Sequence, residues 1–312
     1  MFQCSCGEEM KVLFLGGGRR NSLARRFKAK GCEVLAYELS ESVPIAKECK
    51  VIVGKPWQTA ERHVSEVCSE YGINLTIPLD DRATLIAASI SMAGVVKSPT
   101  STVETNNICL DKRAFESSIV LGTNIPYPTL SDDFKIIRKP RFGFNSKNIS
   151  VVENITEKDE DFVYQSFIEN GIEYSVDCYF DVDSHLVGAV PRTRLLVQGG
   201  EVAKSQTVSR ESLDYQLLRS YVHELGSVLN MRGPACVQFI KHPITGIFYI
   251  MEANARFGGG VILSLEAGFD IIQMILDEYI NDKAVSCYEK WTENLVMHRY
   301  FDEYFYEEKI CV

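Results

Sequence analysis

Apolar and polar positions change period several times along the chain. "KVLFLGGG" (Lys11–Gly18) is a solid apolar run closed by glycines, the pattern of a buried strand and a turn. "NSLARRFKAKG" (Asn21–Gly31) then takes helical spacing, with Asn21 or Ser22 placed to cap its start and Gly31 to stop it. "EVLAYEL", "VIVG" and "INLTIPL" repeat the strand pattern, and "AERHVSEVCSEYG" repeats the helical one. Strands alternating with helices predict a parallel sheet covered on both faces, a Rossmann-like unit ending near Lys97. A polar turn and a helix through about Leu121 follow, and the two prolines of "TNIPYP" break that helix.

Beyond the prolines the pattern is different. "FKIIRKP", "RFGFNSKNISVV", "FVYQSFIE", "EYSVDCYFD" and "HLVGAVPRTRLLV" are strand-like runs without long helices between them, which predicts antiparallel pairing. "SLDYQLLRSYVHELGSVLN" is one long amphipathic helix. "ACVQFIKHPITGIFYIMEANARF" reads as a hairpin with Pro243 and Gly246 at its turn. Helices are expected from about Ile262 and over "IIQMILDEYIN"; the aromatic, acidic tail supports no reading.

The second arm of the hairpin holds the most unusual stretch, "YIMEANARFGGG" (Tyr249–Gly260). Strict alternation puts Tyr249, Met251, Ala253 and Ala255 on one face and Ile250, Glu252, Asn254 and Arg256 on the other. Gln238 and Glu252 are equidistant from Thr245, so without a bulge they oppose each other. Gln238, Glu252 and Asn254 then form a row of oxygen ligands suited to a hard cation such as Mg²⁺, which usually takes its remaining ligands from water and phosphate. An arginine beside such a row favours phosphoryl chemistry. The plainer alternative is a hydrogen-bonded, solvated sheet face. The three glycines are expected to let the chain turn tightly before the next helix. Lys139 ends an apolar strand, and the Gly/Ser/Asn loop after it is either a phosphate cover made of backbone N–H groups or an ordinary hairpin loop.

Together these residues resemble the ATP-grasp superfamily, most closely its carbamoyl-phosphate-synthase-like branch. The match covers about Pro99 to Asp270, and Lys11 to Lys97 resembles the pre-ATP-grasp domain. Gln238 followed by Glu252-Ala-Asn254-Ala-Arg256 is similar to the family's Gln … Glu-x-Asn-x-Arg in order and spacing. The resemblance implies an α/β and α+β fold: a Rossmann-like domain at 1–97, an ATP-grasp core at 98–125 and 169–312, and a lid at 126–168. It implies ATP and Mg²⁺ or Mn²⁺, with Gln238, Glu252 and Asn254 as metal ligands and Arg256 at the phosphoryl group. It also implies that Lys112 and Lys139 hold phosphates, that Gln165, Phe167 and Ile168 line adenine, and that Glu173 receives the ribose. Two departures stand out: the lid "RFGFNSKNI" is poor in glycine, and Ala255 replaces a common proline.

The implied reaction phosphorylates a carboxylate to an acyl phosphate with release of ADP, and an amine or other nucleophile then displaces phosphate. Arg192 and Arg194, two apart on one strand, are candidates to clamp that carboxylate, although a solvated basic face is the plainer reading. "QGGEVAKS" is a candidate substrate loop, with Lys204 a weaker member. Related folds imply a homodimer.

Composition narrows the partners. A net charge of −9 leaves no basic surplus for phosphate backbones, so no nucleic-acid partner is expected. No run of about eighteen apolar residues exists to cross a membrane. There is no signal-peptide pattern, and ten scattered cysteines suit reduced thiols, so the expectation is a cytoplasmic protein with small-molecule partners. Cys4-Ser-Cys6 is the one close pair, with no His nearby. Three rival readings remain. One is an NAD-dependent oxidoreductase: "FLGGGRRN" with Glu38 imitates a dinucleotide fingerprint, although Asn21 stands where its third glycine belongs. The others are a non-catalytic nucleotide-binding module and a carbamoyl-phosphate-type half enzyme acting on bicarbonate or carbamate with a partner.

Overall fold

The computed structural model describes residues 10–131, 135–143, 148–155, 157–199, 201–300 and 302–305. Cys4, Cys6 and the centre of the lid loop, 144–147, lie outside the described residues.

Four parallel strands open the chain: β1 (Met10–Leu15), β2 (Cys32–Glu38), β3 (Lys50–Val53) and β4 (Leu75–Pro78), in the order β3-β2-β1-β4. Helices α1 (Asn21–Ala29), α2 (Glu61–Tyr71) and α3 (Ala83–Met92) cover them. The residue at the start of α1 is Arg20, and no side chain caps it; Asn21 instead donates to the Pro44 carbonyl at 2.7 Å. The stretch after Lys97 is two helices, α4 (Val103–Leu110) and α5 (Lys112–Gly122). They meet at Asp111, whose carboxylate accepts from the Arg113 amide at 3.0 Å and so starts α5.

A small antiparallel sheet follows, from β5 (Ile136–Pro140), β6 (Ser150–Val152) and β7 (Phe162–Ser166), in the order β6-β5-β7. The large antiparallel sheet uses β8 (Ile172–Phe180), β9 (Leu186–Gln198), β10 (Glu201–Thr207), β11 (Gly233–Lys241), β12 (Phe248–Asn254) and β13 (Val296–His298). Its order is β12-β11-β8-β9-β10-β13. The expected substrate loop "QGGEVAKS" is therefore mostly strand: Glu201–Thr207 pairs with β9 as the return arm of a hairpin.

One face of the large sheet is apolar. Tyr174, Val176, Cys178, Phe180, Val237 and Phe239 pack there against α6 (Leu213–Leu229). The other face is divided. At one end Tyr179, Val187 and Val190 join α7 (Val261–Glu266), α8 (Ile271–Tyr279) and the β1–α1–β2 unit in one core. That shared core is why the parallel sheet stays docked, with its turns against the polar end of the large sheet. Ion pairs from Arg26 to Glu266 and from Lys30 to Asp270 cross the same boundary. Among the described residues no helix is long and apolar enough to cross a membrane.

Candidate active site

The hairpin of β11 and β12 sets the site. Gln238 lies opposite Glu252, but for a reason alternation did not foresee. The loop runs from His242 to Ile247, so its centre falls half a residue before Thr245. Left regular, the ladder would set Gln238 against Met251. A β-bulge intervenes: Gln238 pairs with Glu252 and Phe239 with Ile250, leaving Met251 extra. The bulge also changes the faces. Ile250 is in the core with Phe248, Ala253 and Ala255, whereas Tyr249 and Met251 share the more open side with Glu252, Asn254 and Arg256. The expected placement of Ile250 beside Glu252 is corrected accordingly.

Polar side chains from three parts of the chain form a continuous run across that side. Glu173 at the start of β8 pairs with Arg194 of β9 at 2.7 Å, and Arg194 donates to Gln238 Oε1 at 3.0 Å. Gln238 Nε2 and Asn254 Nδ2 both donate to Glu252 Oε1, the latter at 3.1 Å. Arg256 donates to Asn254 Oδ1 at 3.3 Å and to Asp81 at 2.6 Å. Among the described residues no group of three His, Cys, Asp or Glu side chains is placed to hold a metal, and Glu252 is the one carboxylate of the row. The row fits a hard cation in donor type: one carboxylate between two amides. For their oxygens to serve as ligands, both amides must turn, because each now presents N–H to Glu252.

The candidate phosphate-binding lysines come from the start of α5 and from β5. Lys139, at the end of β5, is buried. Burial pulls its ammonium down to about 8, against the opposing fields of Glu252 and Glu173 and with the help of Lys112. Lys112 donates to the Gly143 carbonyl at 2.9 Å, and its own amide binds the Arg141 carbonyl. Arg141 grips Asp111 through two N–H groups at 2.8 and 2.6 Å, so the described base of the lid loop is tied to the start of α5.

The remaining candidates divide. Phe167 and Ile168 continue from β7, and the Phe167 amide binds the Lys135 carbonyl at 2.7 Å. Gln165 is buried with its amide nitrogen donated to the Tyr127 hydroxyl, so its side chain turns inward. Arg192 and Arg194 share a face of β9 but differ in setting. Arg192 is 1% exposed, and its Nε donates to Asp177 at 2.9 Å. Burial works against that charge, and the Asp177 carboxylate and Cys236 together more than offset it. Arg192 is thus half of a sealed ion pair, braced by Ser264 on Asp177 at 2.6 Å, rather than the open carboxylate clamp expected. Lys204 pairs in register with Leu196 and His298 and alternates with Ser205, the partner of Arg194. The ladder is irregular on both sides of Lys204, and no hydrogen bond or ion pair among those described joins its side chain to the run.

Four residues of the site carry no motif. Asp81 arrives from the loop after β4, at the carboxyl end of a parallel strand, a position where such sheets commonly place functional groups. Arg20 comes from the turn before α1, and its Nη1 donates to the Gly258 carbonyl at 3.0 Å. Arg299, just past β13 in the unread tail, donates to the Gly259 carbonyl. Asp177 is buried beneath them. Burial and the guanidiniums of Arg256 and Arg299 push Arg20 down to about 10, and Glu201 opposes the shift.

Glycine positions 258 and 260 are required by close approach. A Cβ on Gly260 would lie 2.4–2.6 Å from the Arg192 guanidinium, and one on Gly258 would lie 2.7 Å from Cys236 Sγ. A Cβ on Gly259 would meet nothing within 4 Å. None of the three adopts a positive φ, and the chain turns through Gly259 and Gly260 into α7, with the Val261 amide on the Gly258 carbonyl at 3.3 Å; close packing at Gly258 and Gly260 is what requires glycine there. The earlier glycine triplet behaves differently. Glu38 accepts from the Gly17 amide and faces that of Gly18, so this chain's own carboxylate fills the turn where a dinucleotide pyrophosphate would rest.

The family model described as "ATP-grasp in the biosynthetic pathway with Ter operon" matches residues 158–299. No curated protein matches the chain in sequence. Among solved structures, N5-carboxyaminoimidazole synthetase from Staphylococcus aureus, complexed with ADP, superposes with a TM-score of 0.75 at 13% identity, covering 95% of this chain and 83% of that one. The biotin carboxylase domain of Hydrogenobacter thermophilus 2-oxoglutarate carboxylase, in complex with MgADP, ADP and bicarbonate, gives 0.74 at 13% identity, over 93% of this chain and 74% of that one. L-amino acid ligase from Bacillus licheniformis gives 0.67 at 16% identity, over 87% and 74%.

Proposed function

We propose, from the premise that this chain has the fold of the ATP-grasp superfamily behind a Rossmann-like domain, that it is an ATP-dependent ligase acting on a carboxylate. The observation that carries the reading is the run Arg194–Gln238–Glu252–Asn254–Arg256, whose Glu252 carboxylate acts on the charge of the buried Lys139. A carboxylate is a poor electrophile until one of its oxygens becomes part of a phosphate leaving group. Transfer of the γ-phosphoryl group requires neutralised charge and alignment more than covalent help from the protein.

Each residue has a part in that reading. Lys139 and Lys112 meet the ATP phosphates. Glu252, with the Gln238 and Asn254 amides turned, would hold Mg²⁺, which supplies charge neutralisation at the phosphates when bound. Arg256, held by Asp81, faces the transferring group and the acyl phosphate that forms. Glu173 receives the ribose, and the segment Gln165–Ile168 borders the adenine, through backbone in the case of Gln165. An amine or another nucleophile then attacks the acyl carbon, and phosphate leaves. The neighbouring structures named for bicarbonate, carboxyaminoimidazole and amino-acid chemistry support the reaction class and leave the acceptor open. A homodimer and a small-molecule acceptor belong to the same reading.

Purified protein, Mg-ATP and pooled carboxylates and amines test it, with ADP, AMP and phosphate quantified. ADP and phosphate in equal amounts are expected; AMP contradicts the acyl-phosphate route. Glu252→Ala and Arg256→Ala should each lower turnover by about 10²–10³ or more, as loss of a group that stabilises transition-state charge does. Arg256→Ala should still bind Mg-ATP by calorimetry. Wild-type turnover in either variant rejects the assignment.

A further inference from the structure

Four arginines from separate stretches of the chain meet at Phe257–Gly260. Arg256 donates to the Phe257 carbonyl at 3.0 Å, Arg20 to Gly258 at 3.0 Å, and Arg299 to Gly259. The Arg192 guanidinium lies against Gly260. Three of them have acidic partners. Arg192 has Asp177 and Arg256 has Asp81, while Arg299 shares Glu201 with Arg19 at 3.5 and 3.3 Å. Arg20 does not: among the described residues its hydrogen bonds go only to the carbonyls of Gly258 and Phe257. A carbonyl accepts a hydrogen bond but does not neutralise a charge. Arg192 Nη1, buried in the same cluster, has no partner among the described residues. Like charges drawn together in a partly buried turn repel one another, and an anion placed among them offsets that cost.

We propose that the substrate carries a second anionic group, a carboxylate or a phosphate, besides the carboxylate activated at Arg256, and that Arg20 and Arg299 read it across the Gly258–Gly259 backbone. The assignment of the first carboxylate rests on the acyl-phosphate reading. Arg20 and Arg299 are specificity-determining residues, not part of phosphoryl transfer. They hold the carbonyls of Phe257, Gly258 and Gly259, the residues that directly follow Arg256, so a short acid can reach both places. Guanidinium matches either group through paired N–H donors.

The test measures direct binding of short acids to the whole protein, without nucleotide, by calorimetry. The probes are dicarboxylates from succinate to adipate, phosphonocarboxylates of the same chain lengths, and the matching monocarboxylates. At least one of the first two series should bind about 10–100-fold more tightly than the monocarboxylates, the range set by one hydrogen-bonded charge. Which series wins separates carboxylate from phosphate. Arg20→Met should remove that preference and leave monocarboxylate affinity within about 3-fold, and Arg20→Lys should restore part of it. Arg299→Gln should weaken the same preference, with circular dichroism confirming that each variant is folded. Equal affinity across the series, no binding by any of them, or an unchanged preference in Arg20→Met overturns the proposal. Preference for two charges without ADP formation on any acid would sink the ligase reading and leave this inference standing. ADP formation with no such preference would do the reverse.

Discussion

The two glycine triplets of this chain, Gly16–Gly18 and Gly258–Gly260, look alike in sequence and are electrical opposites in the folded molecule. The first turns its amides toward an acid, Glu38. The second turns its carbonyls toward bases, with Arg20, Arg256, Arg299 and Arg192 against consecutive residues. A run of glycines only makes backbone accessible. What surrounds that backbone decides whether the turn is plugged or left able to attract an anion. The first triplet therefore packs within the parallel-sheet unit, and the second follows directly on Arg256.

Substitutions sharpen this contrast. The largest effect is expected at Gly260→Ala, where the new methyl would occupy the space of the Arg192 guanidinium. Either backbone or a buried ion pair must shift, at a cost of about 3 kcal/mol or more in chemical denaturation. Wild-type stability in that variant would show that Arg192 does not pack as described. Next comes Glu38→Ala, which leaves the Gly17 and Gly18 amides without their acceptor and should cost about 2 kcal/mol. If added phosphate restored the melting temperature of that variant, the first triplet would be an anion nest relieved of its plug.

Glu38→Gln is a milder case with a pH signature. Burial raises the Glu38 carboxyl above the ordinary carboxylate range, and the two amides and Asp80 modify that shift. The folded state therefore holds this proton more tightly than the unfolded chain does. The associated stability is complete below the unfolded value and is lost as pH rises through the folded one. Glu38→Gln should remove that slope, leaving a melting temperature that changes less than wild type between mildly acidic and neutral pH. An identical pH profile would mean that Glu38 is not the group responsible. The smallest effect belongs to Gly259→Ala, within about 0.5 kcal/mol, because nothing stands where its methyl would go.

How far the sequence reveals this arrangement depends on whether the signal is local. The alternation of β1, α1, β2 and α2 is written in short apolar runs and helical spacing, and the hairpin of β11 and β12 is written in its turn residues, but Gln238 meets Glu252 through a bulge and not through hairpin symmetry. The bulge at Met251 is not written there. Periodicity counts residues and cannot register one that drops out of the ladder, so Ile250 is assigned to the wrong face. β10 is missed because Gly199 and Gly200 dominate the reading of a stretch that is strand by pairing. Arg192 and Arg194 are indistinguishable in sequence, and α7 seals one of them while leaving the other at the edge. Asp81, Arg20 and Arg299 reach the site only because separate parts of the chain dock through a shared core. No local pattern records that event.

The central claim is that the Glu252 row and Arg256 form the place where a carboxylate becomes an acyl phosphate. Isotope transfer tests it most directly. An accepted substrate acid carrying heavy oxygen in its carboxylate is turned over with Mg-ATP and the nucleophile, and the released phosphate is weighed by mass spectrometry. Attack by carboxylate oxygen on the γ-phosphorus, followed by loss of phosphate from the acyl carbon, must leave one labelled oxygen in each phosphate. Label in the phosphate is the predicted result; unlabelled phosphate, or label in AMP, would contradict the account.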